Sequence, residues 1–341
     1  MSKITIKEVA KAANVSISTV SKVMSDAPTI SDATKKRVRE VMEELNYYPN
    51  IIARSFVQQS SKNIGIVMEL KRHYAFLNSH IYEILGGIES ILSQNGYSLT
   101  LLNPSSLGEG LEPYEKIIRE KRVDGLIIHV ANLNKALCQK MDALHFPYVV
   151  IGQPAFESSL CWIDINNKTA GEIAATHLLN EGYTRPAFIG APHEDHFSHN
   201  RLMGFCSALE KNGVAIHPDY IMEGETTIEN SSNMMNTLLD LPTPPDSVVC
   251  LNNFVAFGVI KAIKKRRLKI PKDVALISFD NYPLSMFTEP ELSVVDNDVF
   301  ELGSHAANIL LSKIANPNLQ MQYSMLLPNL IVRESSKKRN N

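Results

Sequence analysis

Residues 4–24 read Ile-Thr-Ile-Lys-Glu-Val-Ala-Lys-Ala-Ala-Asn-Val-Ser-Ile-Ser-Thr-Val-Ser-Lys-Val-Met, and their spacing predicts two short helices joined by a tight turn. Val9, Ala10 and Ala13 form one apolar stripe, and the small Ala10 lets a second helix cross closely. Asn14 stands where the turn requires a residue that tolerates positive φ. Ser16 is placed to cap the next helix, on which Val20 and either Val23 or Met24 turn inward. Ile17, Ser18, Ser21 and Lys22 are then left facing out. Short polar groups, one apolar group and one cation suit base edges and phosphates. Taken alone, the pattern fits an ordinary αα-hairpin as well as a helix-turn-helix.

Downstream, Ser31 caps a third helix carrying Val38, Val41, Met42 and Leu45 at i, i+3, i+4 and i+7, which ends at Asn46 before Pro49. A short helix-competent segment over residues 47–57 then leads into a polar stretch at 58–63. With these blocks in place the chain resembles the LacI/GalR family of bacterial transcriptional repressors. The likeness rests on the Thr-Ile-Lys-Glu-Val-Ala start, Val-Ser-Ile-Ser-Thr-Val-Ser-Lys-Val, Glu-Leu-Asn-Tyr-x-Pro-Asn and Ile-Ala-Arg-Ser, at linked spacings. It implies that Thr5, Ser16, Ile17, Ser18, Thr19, Ser21 and Lys22 meet double-stranded, pseudo-palindromic operator DNA. It further implies a hinge helix that folds on the operator and pairs with its dimer mate in the minor groove, carrying Asn50, Ala53, Arg54 and Phe56. Phe56 replaces the family's usual leucine wedge between base pairs, and an apolar wedge of this kind kinks DNA.

From Ile64 onward, short apolar runs alternate with helical segments in two series, the pattern of parallel sheets built from βαβ units. Runs at 64–70, 97–102, 125–130 and 148–152 make the first series, and runs at 187–190, 247–251 and 274–279 the second. Val-Asp-Gly-Leu-Ile-Ile (123–128), Arg-Leu-Met-Gly-Phe (201–205) and Pro-Lys-Asp-Val-Ala-Leu-Ile-Ser-Phe-Asp-Asn (271–281) continue the family likeness over nearly the whole chain. The expected fold is α/β: a three-helix helix-turn-helix head and hinge helix, then a two-lobed effector domain like a periplasmic binding protein. The expected bounds are 1–48 for the head, 49–62 for the hinge and linker, and 63–341 for effector binding and dimerisation. Within the last, lobe 1 is expected at about 63–163 and 296–323, and lobe 2 at about 164–295 and 324–335, with crossovers near 162–165, 292–297 and 321–327.

Ligands of open α/β sheets lie beyond the carboxyl ends of the strands. Arg201, which opens its motif, is the family's planar donor to ligand oxygens, and its fork suits paired hydroxyls or a carboxylate. Asp280 ends the Ser-Phe-Asp strand and suits sugar hydroxyls. Asn253 replaces the family's usual aspartate, so it both donates and accepts. Where many members have Asn-Pro-Phe-Phe this chain has Asn78-Ser79-His80-Ile81, and Thr226 stands where an aromatic often packs on the ligand. These departures make His80 a candidate and predict a roomier, less aromatic pocket. Trp162, the only tryptophan, lies beside the first crossover and is a candidate for stacking on a sugar face. The 47–50, 150–154 and 278–281 segments look closest to the maltose-regulator branch.

The net charge of −2 hides an asymmetry, because residues 1–62 carry +4 and the remainder −6. A basic head on an acidic body fits a nucleic-acid module joined to something else. The cysteines at 138, 161, 206 and 250 show no C-x-x-C spacing and read as reduced thiols. Neither a membrane-span run nor a signal-peptide core is present, so a soluble cytoplasmic chain is expected rather than a periplasmic receptor. G-x-G-x-x-G, P-loop and G-x-S-x-G signatures are all missing, so no enzyme and no cofactor are expected. The His193, His196, His199 run reads as a polar loop over the cleft rather than a metal site. The short basic tail lacks a heptad pattern, which predicts a homodimer. The reading is thus a homodimeric repressor of carbohydrate-utilisation genes under a small-molecule carbohydrate effector. A catabolite regulator co-repressed by a phosphocarrier protein and a purine- or nucleoside-responsive repressor are the alternatives.

Overall fold

The computed structural model describes residues 4–24, 26–47, 60–69, 79–108, 110–156 and 159–338. The head is three helices, α1 (Ile6–Ala12), α2 (Ile17–Met24) and α3 (Asp32–Glu44). Val9, Ala10, Ala13, Val20, Val23 and Val38 are buried together, with Val41, Met42 and Leu45 packed against them. Burying a valine contributes about 1.5–3 kcal/mol, so this small cluster is what holds the head together. Asn14 (φ 51°) and Asn46 (φ 51°) take the left-handed turn positions, and Ser31 accepts from the Thr34 amide to start α3. Those local expectations hold.

The body follows in chain order. The first lobe runs β1 (Asn63–Val67), α4 (Ser79–Gln94), β2 (Ser98–Leu102), α5 (Pro104–Leu107), α6 (Glu112–Arg119), β3 (Gly125–His129), α7 (Lys135–Ala143), β4 (Tyr148–Ile151) and β5 (Cys161–Ile165). The second runs α8 (Asn167–Asn180), β6 (Pro186–Gly190), α9 (His196–Lys211), β7 (Ile221–Glu223), α10 (Ile228–Leu239), β8 (Ser247–Cys250), α11 (Asn253–Lys265), β9 (Ala275–Phe279), α12 (Pro283–Met286) and β10 (Ser293–Asp296). The chain then returns through α13 (Val299–Ala315) and β11 (Tyr323–Leu326) before ending on β12 (Asn329–Ile331).

Two six-stranded sheets result, ordered β11-β5-β4-β3-β1-β2 and β12-β10-β9-β8-β6-β7. All pairings in the first are parallel, and only β12 is antiparallel in the second. Helices on both faces bury these strands, which explains why β4, β6 and β9 are buried at every position and mostly apolar instead of alternating. β5 stays in the first sheet to Ile165, β10 in the second to Asp296 and β11 in the first to Leu326. Both sheets have the same winding, and in both the strand order reverses at the first strand. That reversal opens a crevice at the carboxyl ends, and the two crevices face one cleft.

Paired glycines bring helices against each other. A Cβ on Gly171 of α8 would overlap the Arg201 carbonyl oxygen of α9, and one on Gly204 of α9 would overlap the Lys168 carbonyl. Gly87 and Gly303 do the same for α4 and α13. No helix among the described residues is long and apolar enough to cross a membrane.

Candidate nucleic-acid interface and ligand cleft

On the head, α2 projects the residues that the sequence singled out. Ile17 is 44% exposed, although large apolar side chains are normally covered. Ser18 and Lys22 are exposed beside it, while Ser21 and Thr19 are half-buried. The Ser16 hydroxyl accepts from the Thr19 amide at 3.0 Å, the helix cap, and also bonds the Ser18 hydroxyl at 2.7 Å. Thr5 caps α1: the Glu8 carboxylate accepts from its amide at 2.7 Å and its hydroxyl at 3.0 Å. These bonds hold Glu8 below the usual carboxylate range. Asn50, Ala53, Arg54 and Phe56 lie outside the described residues.

The cleft between the lobes encloses about 370 Å³, at the lower end of the roughly 300–1,000 Å³ usual for small-molecule sites. His80, Arg201, Asn253 and Asp280 all line it, drawn from α4, α9, α11 and the end of β9. Trp162 does not. Its ring stacks on Tyr323 at 5.3 Å, because alternation along β5 sends residue 162 to the sheet face opposite Cys161 and Ile163. The stacking role expected for Trp162 is therefore withdrawn.

Arg201 is 6% exposed. Its Nε donates to Asn167 Oδ1 at 2.9 Å and its Nη1 to the Leu251 carbonyl at 2.8 Å, while the guanidinium lies 4.2 Å over the Phe279 ring. Nη2 stands 4.0 Å from Asp280 Oδ1. Asp280 has φ 70°, a left-handed conformation that aspartate tolerates and that turns its carboxyl off the strand end. Asn297 Nδ2 donates to Asp280 Oδ1 at 2.6 Å, and Asn253 Nδ2 to the Asp280 carbonyl at 3.4 Å. The Asn253 and Asn297 amide oxygens are buried without a partner among the described residues.

Contacts between described residues bridge the lobes across this cleft. His80 Nδ1 shares a 2.9 Å hydrogen bond with the Tyr282 hydroxyl, and the His129 ring sits 6.0 Å from that of Phe197. Asn167, His129, Phe197 and Tyr282 were not singled out from sequence. The strand-end rule applied to β3 would have found His129; the others enter from helix starts and a loop, where no such rule applies. Phe197, Phe254, Phe257 and Tyr282 also line the cleft. The rings come from positions other than 79–81 and 226.

Burial keeps the imidazoles neutral. The His129 pKa is pushed down to about 4, by desolvation first and by His80 second, and its Nδ1 accepts from the Ala131 amide. His80 is lowered by burial, with Arg201 adding and Asp280 opposing. His177 is also lowered by burial. Each of these groups binds a proton more readily when unfolded, so its contribution is complete above about pH 6.5 and declines as pH falls below that, in the case of His129 down to about pH 4. At about 1.4 kcal/mol per pH unit, His129 alone accounts for at most roughly 3 kcal/mol. The melting midpoint should therefore drop between about pH 7 and pH 5, and less so in His129→Gln. Equal drops in both proteins would show that His129 is not shielded.

In the His193, His196, His199 run, His193 and His199 meet edge to face at 5.0 Å, and His193 approaches Glu223 at 3.6 Å. No three His, Cys, Asp or Glu among the described residues are grouped to hold a metal ion.

Residues 5–50 match the family model for bacterial regulatory proteins of the lacI family, and residues 175–336 match the periplasmic binding protein-like domain. The chain is 31% identical over 334 residues to the HTH-type transcriptional repressor PurR of Histophilus somni, a match covering 98% of this chain and 99% of that one. Among solved structures, the transcriptional regulator CelR–cellobiose complex is similar at 25% identity and TM-score 0.72, covering 97% of this chain and 99% of that one. The lac repressor dimer bound to operator and the anti-inducer ONPF gives TM-score 0.82 at 22% identity, covering 99% and 100%. This last likeness speaks to fold alone.

Proposed function

The chain belongs to the LacI family of bacterial regulatory proteins, and from that premise we propose that it is a homodimeric transcriptional repressor controlled by a neutral, hydroxyl-rich ligand. It works in the cytoplasm by binding rather than catalysis. The head (1–48) reads operator half-sites through α2: Ile17 meets an apolar base edge, and Ser18 and Lys22 hydrogen-bond bases. Two heads related by a dimer axis require a pseudo-palindromic operator. Residues 49–62 join the head to the ligand-binding body. Binding-site selection from random duplexes should enrich such a palindrome, and Lys22→Ala should change the preferred base within each half-site. An identical consensus at identical relative affinities would remove Lys22 from base reading.

The observation that carries the ligand class is the charge of the cleft lining. Among the described residues, Asp195 and Asp280 face it against one guanidinium, that of Arg201, while burial holds the His80 and His129 imidazoles neutral and raises the pKa of Asp164. An anionic ligand is disfavoured there. Arg201 Nη2 stands 4.0 Å from the Asp280 carboxylate, a donor beside an acceptor, and that pairing suits adjacent hydroxyls of a sugar. The relative that binds cellobiose adds support. A purine or nucleoside is the second reading, favoured by the PurR relative and by Phe197, Phe254 and Phe257 in the lining. Thermal-shift titration with mono- and disaccharides beside purine bases and nucleosides separates the two. A midpoint raised only by purines would overturn the sugar reading.

A further inference from the structure

One carboxylate ties the head-side linker to the first lobe. Asp124 stands immediately before β3. Its Oδ2 accepts from the Ser60 hydroxyl at 2.5 Å and the Lys62 amide at 3.0 Å, and its Oδ1 from the Ser61 amide at 2.7 Å and hydroxyl at 2.8 Å. Its own amide donates to the Asn63 carbonyl at 2.7 Å. Lys62 turns through φ 51°, lays its ammonium 4.2 Å over the Tyr97 ring, and offers its carbonyl to the Ser98 amide at 2.9 Å. Residues 60–63 are thereby fixed to β1, β2 and β3 together. Bonds to an ionised acceptor are about twice as strong as neutral ones.

The second lobe carries the same device. Asp246 stands immediately before β8, accepts from the Thr184 amide at 3.0 Å and hydroxyl at 3.2 Å and from the Arg185 amide at 3.0 Å, and donates to the Arg185 carbonyl at 3.1 Å. The two aspartates occupy equivalent places in sheets of the same winding. What differs is the chain that each one holds. Asp246 fastens a loop that returns from α8 of its own lobe, whereas Asp124 fastens the segment that leads back to the head.

We propose that Asp124 is a positioning residue for DNA binding: it fixes where the linker leaves the first lobe, so the lobe's orientation sets where the head is delivered. This role rests on the reading of the chain as a dimeric DNA-binding regulator. Releasing residues 60–62 lengthens the tether between lobe and head. A longer tether lowers the effective concentration of the second head once the first has bound. Two-headed, sequence-specific binding suffers from that loss, whereas phosphate contacts by a single head do not.

The full-length chain and two duplexes test this. One duplex is enriched by the wild-type protein from a random library; the other has an unrelated sequence. Asp124→Ala should lower the ratio of specific to non-specific affinity by roughly tenfold, within the usual range of inter-site coupling. Asp246→Ala should lower the melting midpoint comparably and leave the ratio at its wild-type value. The Ser60→Ala/Ser61→Ala double variant removes two of the four donors without touching a buried core, so it serves if Asp124→Ala does not fold; its ratio should fall part of the way. An unchanged ratio in both linker-side variants, or an equal fall in Asp246→Ala, overturns the role. A wild-type chain that enriches no sequence overturns the regulatory reading and this role with it. Enrichment by the wild type beside an unchanged Asp124→Ala ratio overturns the role alone.

Discussion

Arg201→Ala is expected to abolish the ligand's control of DNA binding and to cost the second lobe about 2–4 kcal/mol. Both effects have one source. The guanidinium is the donor to Asn167 and to the Leu251 carbonyl, and it is the cation nearest the buried Asp280. Without it, two buried acceptors lose their partner and a carboxylate loses its counter-charge. Alanine is therefore not a clean probe of the ligand contact, because that contact and the lobe's internal bonding share one side chain. Arg201→Lys keeps the charge but not the fork, so it should fold better and still bind ligand weakly. Calorimetric titration with the ligand beside thermal melts separates the two effects. Wild-type ligand affinity in either variant would take Arg201 out of the binding site.

Gly171→Ala is expected to act on the same site without touching a ligand. The added methyl overlaps the Arg201 backbone carbonyl, so α8 and α9 must move apart, at about 1–3 kcal/mol for overpacking a close contact. The Arg201–Asn167 bond spans that same helix pair, so separation stretches it. A lower melting midpoint with weakened ligand binding is the expected result. A lower midpoint with unchanged ligand affinity would mean that helix spacing does not set the position of Arg201.

How much of this was legible in the sequence depended on the distance over which each feature is encoded. The head was readable because its determinants are local: a stripe at helical spacing, Asn14 and Asn46 where left-handed turns are needed, Ser16 and Ser31 at helix starts. The α/β alternation was readable for the same reason, since strands buried on both faces are mostly apolar. The cleft was only half readable. Arg201 and Asp280 were found by motif and strand end, but Asn167, Phe197 and Tyr282 reach it from points of the chain far apart, and no local pattern encodes that meeting. Trp162 misled because its face of the strand is fixed by the β5 register against β4 and β11. The Asp124 clamp stayed hidden although Val-Asp-Gly-Leu-Ile-Ile was noted, because its partners lie some sixty residues earlier.

If the cleft and the face of α2 are two sites of one equilibrium, ligand and operator must alter each other's affinity by the same factor. The decisive measurement is that pair of factors: operator affinity by fluorescence anisotropy with and without the ligand found by thermal shift, and ligand affinity by calorimetry with and without operator. Equal factors of about 5–150-fold are expected, with both falling to one in Arg201→Ala. A ligand that binds the cleft equally tightly whether or not operator is bound would contradict ligand control of DNA binding.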